Sequence, residues 1–401
     1  MRRACYAPLF PQMLRAMSKL NLNIEGAVKD RYAAGAQCCE PALCCPVQYD
    51  PKFLTVIPQE VIEKDYGCGD PSQHVREGET VLDLGSGTGK ICFIASQVVG
   101  PKGRVIGVDM TDDMLEVARR NAPIVAERIG FSNVEFRKGR IQDLALDLAK
   151  LDAVLSSAPI SGADGFLKAE ALLDRLRVEE PLVASESVDV VVSNCVLNLV
   201  SPELKPQLFA EIFRVLKGTG RAVISDIVGD EEVPAELQND AVLWSGCISG
   251  ALTETGFLEA FVEAGFQGVR ILKRDQTPWQ TVGGIEFRSV TIEAFKGTGE
   301  PCMELKQAVI YKGPFSETAD DDGHIYRRGV REAVCGKTFD MLMREPYAGM
   351  FEPVVPLVPI VAAAASPFDC VARERHPRET KGMDYDATSA EASCCKGDAC
   401  C

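Results

Sequence analysis

From Thr80 onward the apolar and polar positions of the chain alternate between two regimes, short continuous apolar runs and longer stretches of helical period. "TVLDL" (80–84) predicts a buried strand, "GSGTGK" a glycine turn, and "ICFIASQVVG" a helix that stops at Gly100. "RVIGVD" is the next strand. "TDDMLEVARRNAPIVAERIG" is the next helix, with Thr111 as N-cap and Asp112 and Asp113 in its first turn, where acids complement the helix dipole. "NVEFRKG", "SVDVVVSN" and "RAVISDI" supply three more strands. The last two flank the helix "SPELKPQLFAEIFRVLKGTG", expected to open at Ser201-Pro202 and to close at Gly218 and Gly220. Strands alternating with helices form a mostly parallel sheet covered on both faces, so the fold class is α/β, doubly wound.

The pattern also divides the chain. Residues 1–75 form an N-terminal cysteine-bearing segment and cap, and 76–229 the doubly wound domain. An insertion at about 144–186 carries the helical "FLKAEALLDRLRVEEP". Residues 230–292 change to a smaller α+β pattern, 293–350 to a compact C-terminal domain. Residues 351–401, rich in proline and alanine and ending in cysteines, are expected to be a flexible tail.

Chemistry first enters at the glycine turn. In "VLDLGSGTG" the strand ends in Gly85, Ser86 and Gly87, and a residue without Cβ lets a ligand approach the backbone. The spacing is G-x-G-x-G rather than the G-x-G-x-x-G of dinucleotide folds. Asp83 just ahead of it suits a ligand bearing an ammonium better than one bearing pyrophosphate. Asp109, ending the second strand, can take two ribose hydroxyls. Met110 can cover one face of an adenine, and "GRIQDL" brings Ile141 and Gln142 to the other side. Turn, acid and "GRIQDL" in one βαβαβ order point to S-adenosylmethionine, against the alternative of a structural turn in another Rossmann-like enzyme.

Composition narrows the partners. The 401 residues carry a net charge of −15, and clustered Lys and Arg are missing, which argues against nucleic acid. The longest apolar run, 354–365, is too short and too proline-rich to cross a membrane. The first 24 residues lack acids and contain Arg2, Arg3, Arg15 and Lys19, a composition shared with organelle transit segments; without such targeting the expected compartment is the cytoplasm. Sixteen cysteines in a chain without a secretory signal suggest metal or redox chemistry. "CCEPALCC" (38–45) and "CCKGDACC" (394–401) repeat one spacing, and such thiolates would hold a soft cation or metalloid. Three single cysteines stand apart: Cys68 in the Gly-flanked "DYGCGDP", Cys195 just past the fourth strand, and Cys247 in "SGCISGA". They could converge above a cofactor methyl group, or each could be an ordinary buried core residue. His74, His324 and His376 show no zinc spacing, His324 reading as a surface turn residue, and Asp226 reads equally as a general base or a solvated strand end.

Taken together, "VLDLGSGTG", "YGCGDP", "VVSNCVLNLV", "GCISGA" and "AVIYKGPF…DDDGHIYRRG" resemble the arsenite S-adenosylmethionine methyltransferases, over about residues 22–345. The resemblance implies a Rossmann-like class I methyltransferase domain (76–229), an arsenic-binding domain (230–292) and a C-terminal domain. It implies that Cys195 and Cys247 bind trivalent arsenic, that Cys68 joins them as third thiolate or forms a disulfide in turnover, and that Cys44 or Cys45 is the fourth. Tyr66 and Gly67 match positions against the cofactor, and Asn194 and Val196 match the segment beneath its methionine part. The implied substrates are arsenite or its thiol conjugates, with thioredoxin or glutathione as thiol reductant, and a monomer is the simplest assembly. The 144–186 insertion and the doubled cysteines depart from the family pattern. Two other readings stay open: methylation of a small carbon, oxygen or sulfur acceptor with structural cysteines, and a metalloid-sequestering protein. The terminal cluster is expected either to capture arsenic or shuttle reducing equivalents, or to be an unconstrained tail.

Overall fold

Alternate residues of the first apolar strands are buried on opposite faces of one sheet. The computed structural model describes residues 23–38, 40, 43, 47–157, 159–371 and 373–388. In chain order the first part comprises α1 (Ile24–Gln37), α2 (Pro51–Leu54), α3 (Gln59–Glu63), β1 (Thr80–Leu84), α4 (Lys90–Val99), β2 (Arg104–Asp109), α5 (Asp112–Ile129), β3 (Val134–Lys138), α6 (Leu148–Ser157) and α7 (Gly162–Glu179). It continues with β4 (Val188–Asn194), α8 (Lys205–Val215), β5 (Leu216–Gly229), α9 (Ala235–Gln238), α10 (Ala241–Ser245), β6 (Leu252–Thr253), α11 (Glu254–Glu263), β7 (Phe266–Arg274), β8 (Gln280–Val282) and β9 (Ile285–Lys296). Val81, Val105, Val190, Val192 and Val223 pack with Ile91, Cys92, Ala95 and Val99 of α4. Their neighbours Leu82, Ile106, Val191 and Ile224 face Leu208, Phe209 and Ile212 of α8 and Phe257 and Phe261 of α11. Burial on both faces is why these strands read as unbroken apolar runs.

The strand order is β3-β2-β1-β4-β5-β9-β7. β1 runs parallel to β2 and to β4, with Val81 opposite both Val105 and Val190. The order reverses between β1 and β4, so their carboxyl ends open a crevice, the place where such sheets bind ligands.

Two features of this part differ from the sequence-based expectation. Helix α8 ends at Val215, and the "LKGTG" expected to close it begins β5 instead. Leu216 pairs with Val188 and Arg221 with Val190, so residues between them bulge out of register, with Thr219 in the left-handed region (φ 70°). Residues 230–292 do not form a domain of their own, because β9 lies antiparallel along β5 from Phe287 to Phe295 and β7 adds to β9. One compact unit therefore extends to Lys296, and a second begins at Gly297. The expected insertion is a pair of helices, α6 and α7, closed at its base where Leu182 and Val183 donate to the carbonyls of Ala145 and Leu144. It lies between β3 and β4 in the chain.

The second unit holds β10 (Met303–Glu304), β11 (Ala308–Tyr311), β12 (Glu317–Ala319), β13 (Ile325–Arg327), β14 (Arg331–Ala333), α12 (Gly336–Leu342), β15 (Phe351–Val354), β16 (Ser366–Pro367) and α13 (Pro377–Lys381). Its core contains Val309, Tyr311, Tyr326, Val334, Phe339, Leu342 and Phe351. The expectation of a flexible tail from residue 351 fails up to residue 388. β15 pairs along the whole of β11, and the buried Arg375 reaches both Glu304 oxygens (2.8 and 3.0 Å), Glu379 (3.1 Å) and the Gln307 carbonyl (3.1 Å). Composition missed this because the ties are a backbone ladder and one buried arginine. Residues 389–401, with the terminal cysteine cluster, lie outside the described residues.

Ending the chain at residue 350 removes both ties. The second unit is then expected to lose its protection, seen as rapid protease cleavage within 297–350 under conditions where the full chain resists. A dispensable tail would leave the cleavage pattern unchanged.

Candidate active site

The crevice between the ends of β1 and β4 is a cleft of about 1020 Å³ counted out to its mouth. Gly85 adopts φ +68° and Gly87 φ +51°, conformations a side chain would strain. A Cβ on Gly85 would also lie 2.4 Å from Val196 Cγ1, so the turn after β1 and the turn after β4 touch only because Gly85 is bare. Asp109 ties the floor together. One carboxylate oxygen accepts from Gly87 N–H (2.9 Å) and the other from Thr111 N–H (2.8 Å). Asp83 is buried on β1, where the Cys92 thiol donates to it at 3.2 Å, and burial pushes its carboxyl up to about 8. Ser86 Oγ on the cleft wall is buried with no hydrogen-bond partner among the described residues.

All twelve residues expected to bind the cofactor line this cleft: Tyr66, Gly67, Asp83, Gly85, Ser86, Gly87, Asp109, Met110, Ile141, Gln142, Asn194 and Val196. Helix α1 covers it. Its Glu25 accepts from Gln142 (2.9 Å) and Arg140 (2.7 Å), and Glu25, Val28 and Tyr32 line the wall.

Asn194, the last residue of β4, holds the 66–69 loop. Its Oδ1 accepts from the N–H groups of Cys68 and Gly69, both at 2.9 Å, and its Nδ2 donates to Gly69 O at 2.8 Å. Ser289 on β9 completes the grip by donating to the Cys68 carbonyl at 2.7 Å. The next residue, Cys195, has φ +65°, and Cys247 has φ +63°, both uncommon for a side-chain-bearing residue and held only where surroundings over-determine them. The surroundings here are hydrogen bonds. Cys195 N–H donates to Ser225 O (2.8 Å), and Asp226 accepts from Leu197 N–H (2.8 Å), Asn198 Nδ2 (2.9 Å) and Ile227 N–H (2.8 Å).

The Sγ atoms of Cys68 and Cys195 and a carboxylate oxygen of Asp226 lie within 4.8 Å of one another. Cys247 packs in the same buried cluster, but its thiol donates to the Cys195 carbonyl at 3.1 Å. Two sulfurs are thus gathered, while the Cys247 thiol is engaged with that carbonyl. Cys195 lines the cleft, Cys68 and Cys247 lie behind its wall, and Cys44 and Cys45 fall outside the described residues.

Sequence reasoning missed Tyr32, whose hydroxyl is held well above its usual pKa by burial and by the Cys247 and Cys195 sulfurs. Nothing in "KDRYAAG" marks it. Asp226 is not the solvated strand end weighed from sequence: it is buried, and burial pushes its carboxyl up to about 6 and the nearby Lys205 ammonium down to about 8. His324 is half-buried with Nδ1 2.9 Å from Asp320 Oδ2.

A bare-glycine turn, an acid ending β2 and an orphaned hydroxyl at the switch point make a cradle suited to an adenosyl group and its amino-acid arm. With this sheet order, the fold and site define a class I S-adenosylmethionine-dependent methyltransferase. A methyltransferase domain model matches residues 76–182 and 172–265, and a model described as a domain of unknown function matches residues 298–385. The chain is 36% identical over 328 residues to the arsenite methyltransferase of Aquipseudomonas alcaligenes, covering 79% of this chain and 84% of that protein. It is 32% identical over 321 residues to the arsenite methyltransferase of Mus musculus, covering 76% and 75% respectively. The crystal structure of an arsenic (III) S-adenosylmethionine methyltransferase from Chlamydomonas reinhardtii superposes with a TM-score of 0.51 at 29% identity, covering 82% of this chain and 99% of that one. The chain belongs to the arsenite methyltransferase family.

A Cβ on Gly67 would stand 2.0 Å from Asn194 Nδ2. Gly67→Ala is therefore expected to push the Cys68 loop off Asn194, at a cost of roughly 1–3 kcal/mol in unfolding free energy. Urea denaturation reads that loss, and methyl transfer should fall by about tenfold or more as Cys68 moves from Cys195.

Proposed function

We propose that this enzyme methylates trivalent arsenic held by Cys68, Cys195 and Cys247, with S-adenosylmethionine bound in the β1/β4 cleft. The observation that carries this is the meeting of the Cys68 and Cys195 sulfurs beside that cleft, brought from segments 127 residues apart (195 less 68). When bound, the cofactor supplies a methyl group on a positively charged sulfur, open to in-line displacement by arsenic.

The chain's own groups do the rest by placement. Gly85, Ser86 and Gly87 give the backbone approach, Asp109 and Gln142 face the adenosyl end, and Asp83 offers a carboxylate to the ammonium. Thiolate coordination keeps trivalent arsenic pyramidal with its lone pair unshared, and Asn194 and Asp226 set the two turns that aim the sulfurs. Positioning of this kind accounts for a large part of the barrier reduction. The donor is already cationic, so no acid is needed to activate it.

Methyl transfer takes arsenic from the trivalent to the pentavalent state. Two electrons return it when Cys68 and Cys44 or Cys45 close a disulfide, and thioredoxin or glutathione then reopens that bond by thiol exchange. The substrate entering the site is arsenite or its thiol conjugate. A reducing compartment, the cytoplasm, suits a chain that depends on free thiols.

Cys195→Ser and Cys247→Ser are each expected to abolish methylated arsenic while cofactor affinity stays within about threefold. Labelled cofactor with arsenite and thiol, followed by product identification, measures the first, and calorimetry the second. Normal turnover in either variant would return the cysteines to a structural role.

Asp83 makes a separate prediction. With its carboxyl near 8, it is mostly protonated at neutral pH, and pairing with an ammonium requires the charged form. Cofactor binding should then release close to one proton, and affinity should rise as pH climbs toward 8. Calorimetry in buffers of different ionisation enthalpy reads the release, and Asp83→Asn should remove it.

A further inference from the structure

Three cysteine-bearing segments meet around one arginine of α1. Arg31 donates from Nε (2.9 Å) and Nη2 (2.6 Å) to Glu40 Oε1, and from Nη1 to the Val242 carbonyl (2.8 Å) and to Ser245 Oγ (3.0 Å). Val242 and Ser245 belong to α10, which runs through Gly246 into Cys247, and the Cys247 N–H donates to the Trp244 carbonyl at 3.0 Å. Glu40 lies on the other side, in the sequence between the cysteine pairs 38–39 and 44–45. It is held a second time, because its N–H donates to the Tyr66 hydroxyl (3.0 Å), which donates in turn to the Gly35 carbonyl (3.0 Å). Leu43, the residue before Cys44, donates its N–H to the Glu40 carbonyl at 3.1 Å and is buried with Ala36, Tyr66 and Met114. Tyr66 stands two residues ahead of Cys68, in the loop gripped by Asn194 and Ser289. The segment leading to Cys44 and the loop carrying Cys68 therefore share an anchor in the Tyr66 side chain, and Arg31 fixes the acid beside it.

A brace between α1 and α10 needs only the two α10 contacts. The other two donors go to a carboxylate in a stretch, 38–45, that contains four cysteines. Disulfide closure is demanding of geometry, since one sulfur must approach another along the bond being broken. In the function proposed above, arsenic leaves methyl transfer pentavalent and bound to Cys68. The thiolate of Cys44 or Cys45, its proton given to solvent, attacks the Cys68 sulfur. The S–S bond forms as the As–S bond breaks, and the electron pair of that bond stays on arsenic, which returns to the trivalent state. A thiol on a flexible tether is presented at roughly millimolar effective concentration, and a positioned one gains orders of magnitude over that. We propose that Arg31 and Glu40 are positioning residues for this reductive step: Glu40, held by Arg31, pins the segment of Cys44 and Cys45 against the Tyr66–Cys68 loop, while the same guanidinium anchors the helix that leads to Cys247. The proposal rests on the reading that Cys68 pairs with Cys44 or Cys45. Arginine fits the task better than lysine, because its fixed fork of donors serves a carboxylate and two oxygens of another element at once.

The test uses the full chain, reduced and then freed of reductant, with arsenite and labelled S-adenosylmethionine in a single turnover. Rapid quench reads the first methyl transfer. Thiol alkylation followed by peptide mass spectrometry reads the disulfide joining Cys68 to Cys44 or Cys45. Glu40→Gln gives up the charged acceptor and keeps the Arg31 bonds to α10. It should leave the first transfer within about twofold of the parent and slow disulfide closure by about tenfold or more. Steady-state turnover with thioredoxin should fall in step with closure. Arg31→Lys, which keeps the charge and loses the fork, should slow closure as much and also raise the KM for arsenite, because the helix leading to Cys247 is released with it. Circular dichroism and urea denaturation check that both variants fold. A merely structural role would depress both steps together, so equal falls in transfer and closure for Glu40→Gln would overturn the inference, as would closure at the parent rate in either folded variant. A parent chain that methylates arsenic and never forms this disulfide overturns the pairing itself, a result distinct from normal closure in the variants, which sinks only the role of Arg31 and Glu40.

Discussion

One carboxamide joins the two halves of the thiol centre. Asn194 closes β4 and accepts or donates three short hydrogen bonds to the Cys68–Gly69 backbone, all buried. Each such bond contributes only about 1 kcal/mol net, but leaving its partners unmade in the interior costs more. The loop therefore has one resting place, beside the turn that carries Cys195. Gly67 is bare because Asn194 occupies the space its Cβ would take. A methyl-bearing or aliphatic residue at 194 could fill the volume and would satisfy none of these groups.

The backbone around the sulfurs is strained, and its support is electrostatic. Cys195 and Cys247 both sit at positive φ, while buried Asp226 gathers three N–H donors around the 195–198 turn. Lys205 donates to the Leu197 carbonyl at 2.9 Å on the other side of that turn. Loss of a partner here leaves a buried charge uncompensated, the kind of change that destabilises most. The sheet itself is rigid apolar packing, so the polar network has a fixed frame to work against.

Acids dominate the cleft. Glu25, Asp65, Asp83 and Asp109 line it, with Lys64 as the cation on its wall. Burial raises the pKa of Asp83 and Asp109, and an acid-lined, partly dry crevice disfavours anionic ligands. The same field favours a ligand that brings positive charge, as a sulfonium with an ammonium arm does. The −15 net charge of the chain thus has a local counterpart at the site.

The strands 80–84, 104–109 and 188–194 were legible because burial on both faces leaves an unmistakable apolar run, and the glycine turn because only glycine tolerates that backbone. Asp83, Gly85, Ser86, Gly87, Asp109 and Met110 could be named as cofactor candidates because they lie at or just past strand ends, whereas Tyr66, Gly67, Asn194 and Val196 came only from the family resemblance. Tertiary structure decided what depends on partners distant in sequence. Leu216 became strand because Val188 stood opposite it, 230–292 merged into the sheet because β9 could pair along β5, and 351–354 became a strand through β11. Asp226 and Tyr32 acquired their environments only when other segments closed over them, since a carboxylate or phenol carries no mark in the sequence of what will bury it. Periodicity is a local property of the chain. Which sulfur faces which, and which carbonyl claims the Cys247 thiol, are properties of contacts between segments far apart in the chain.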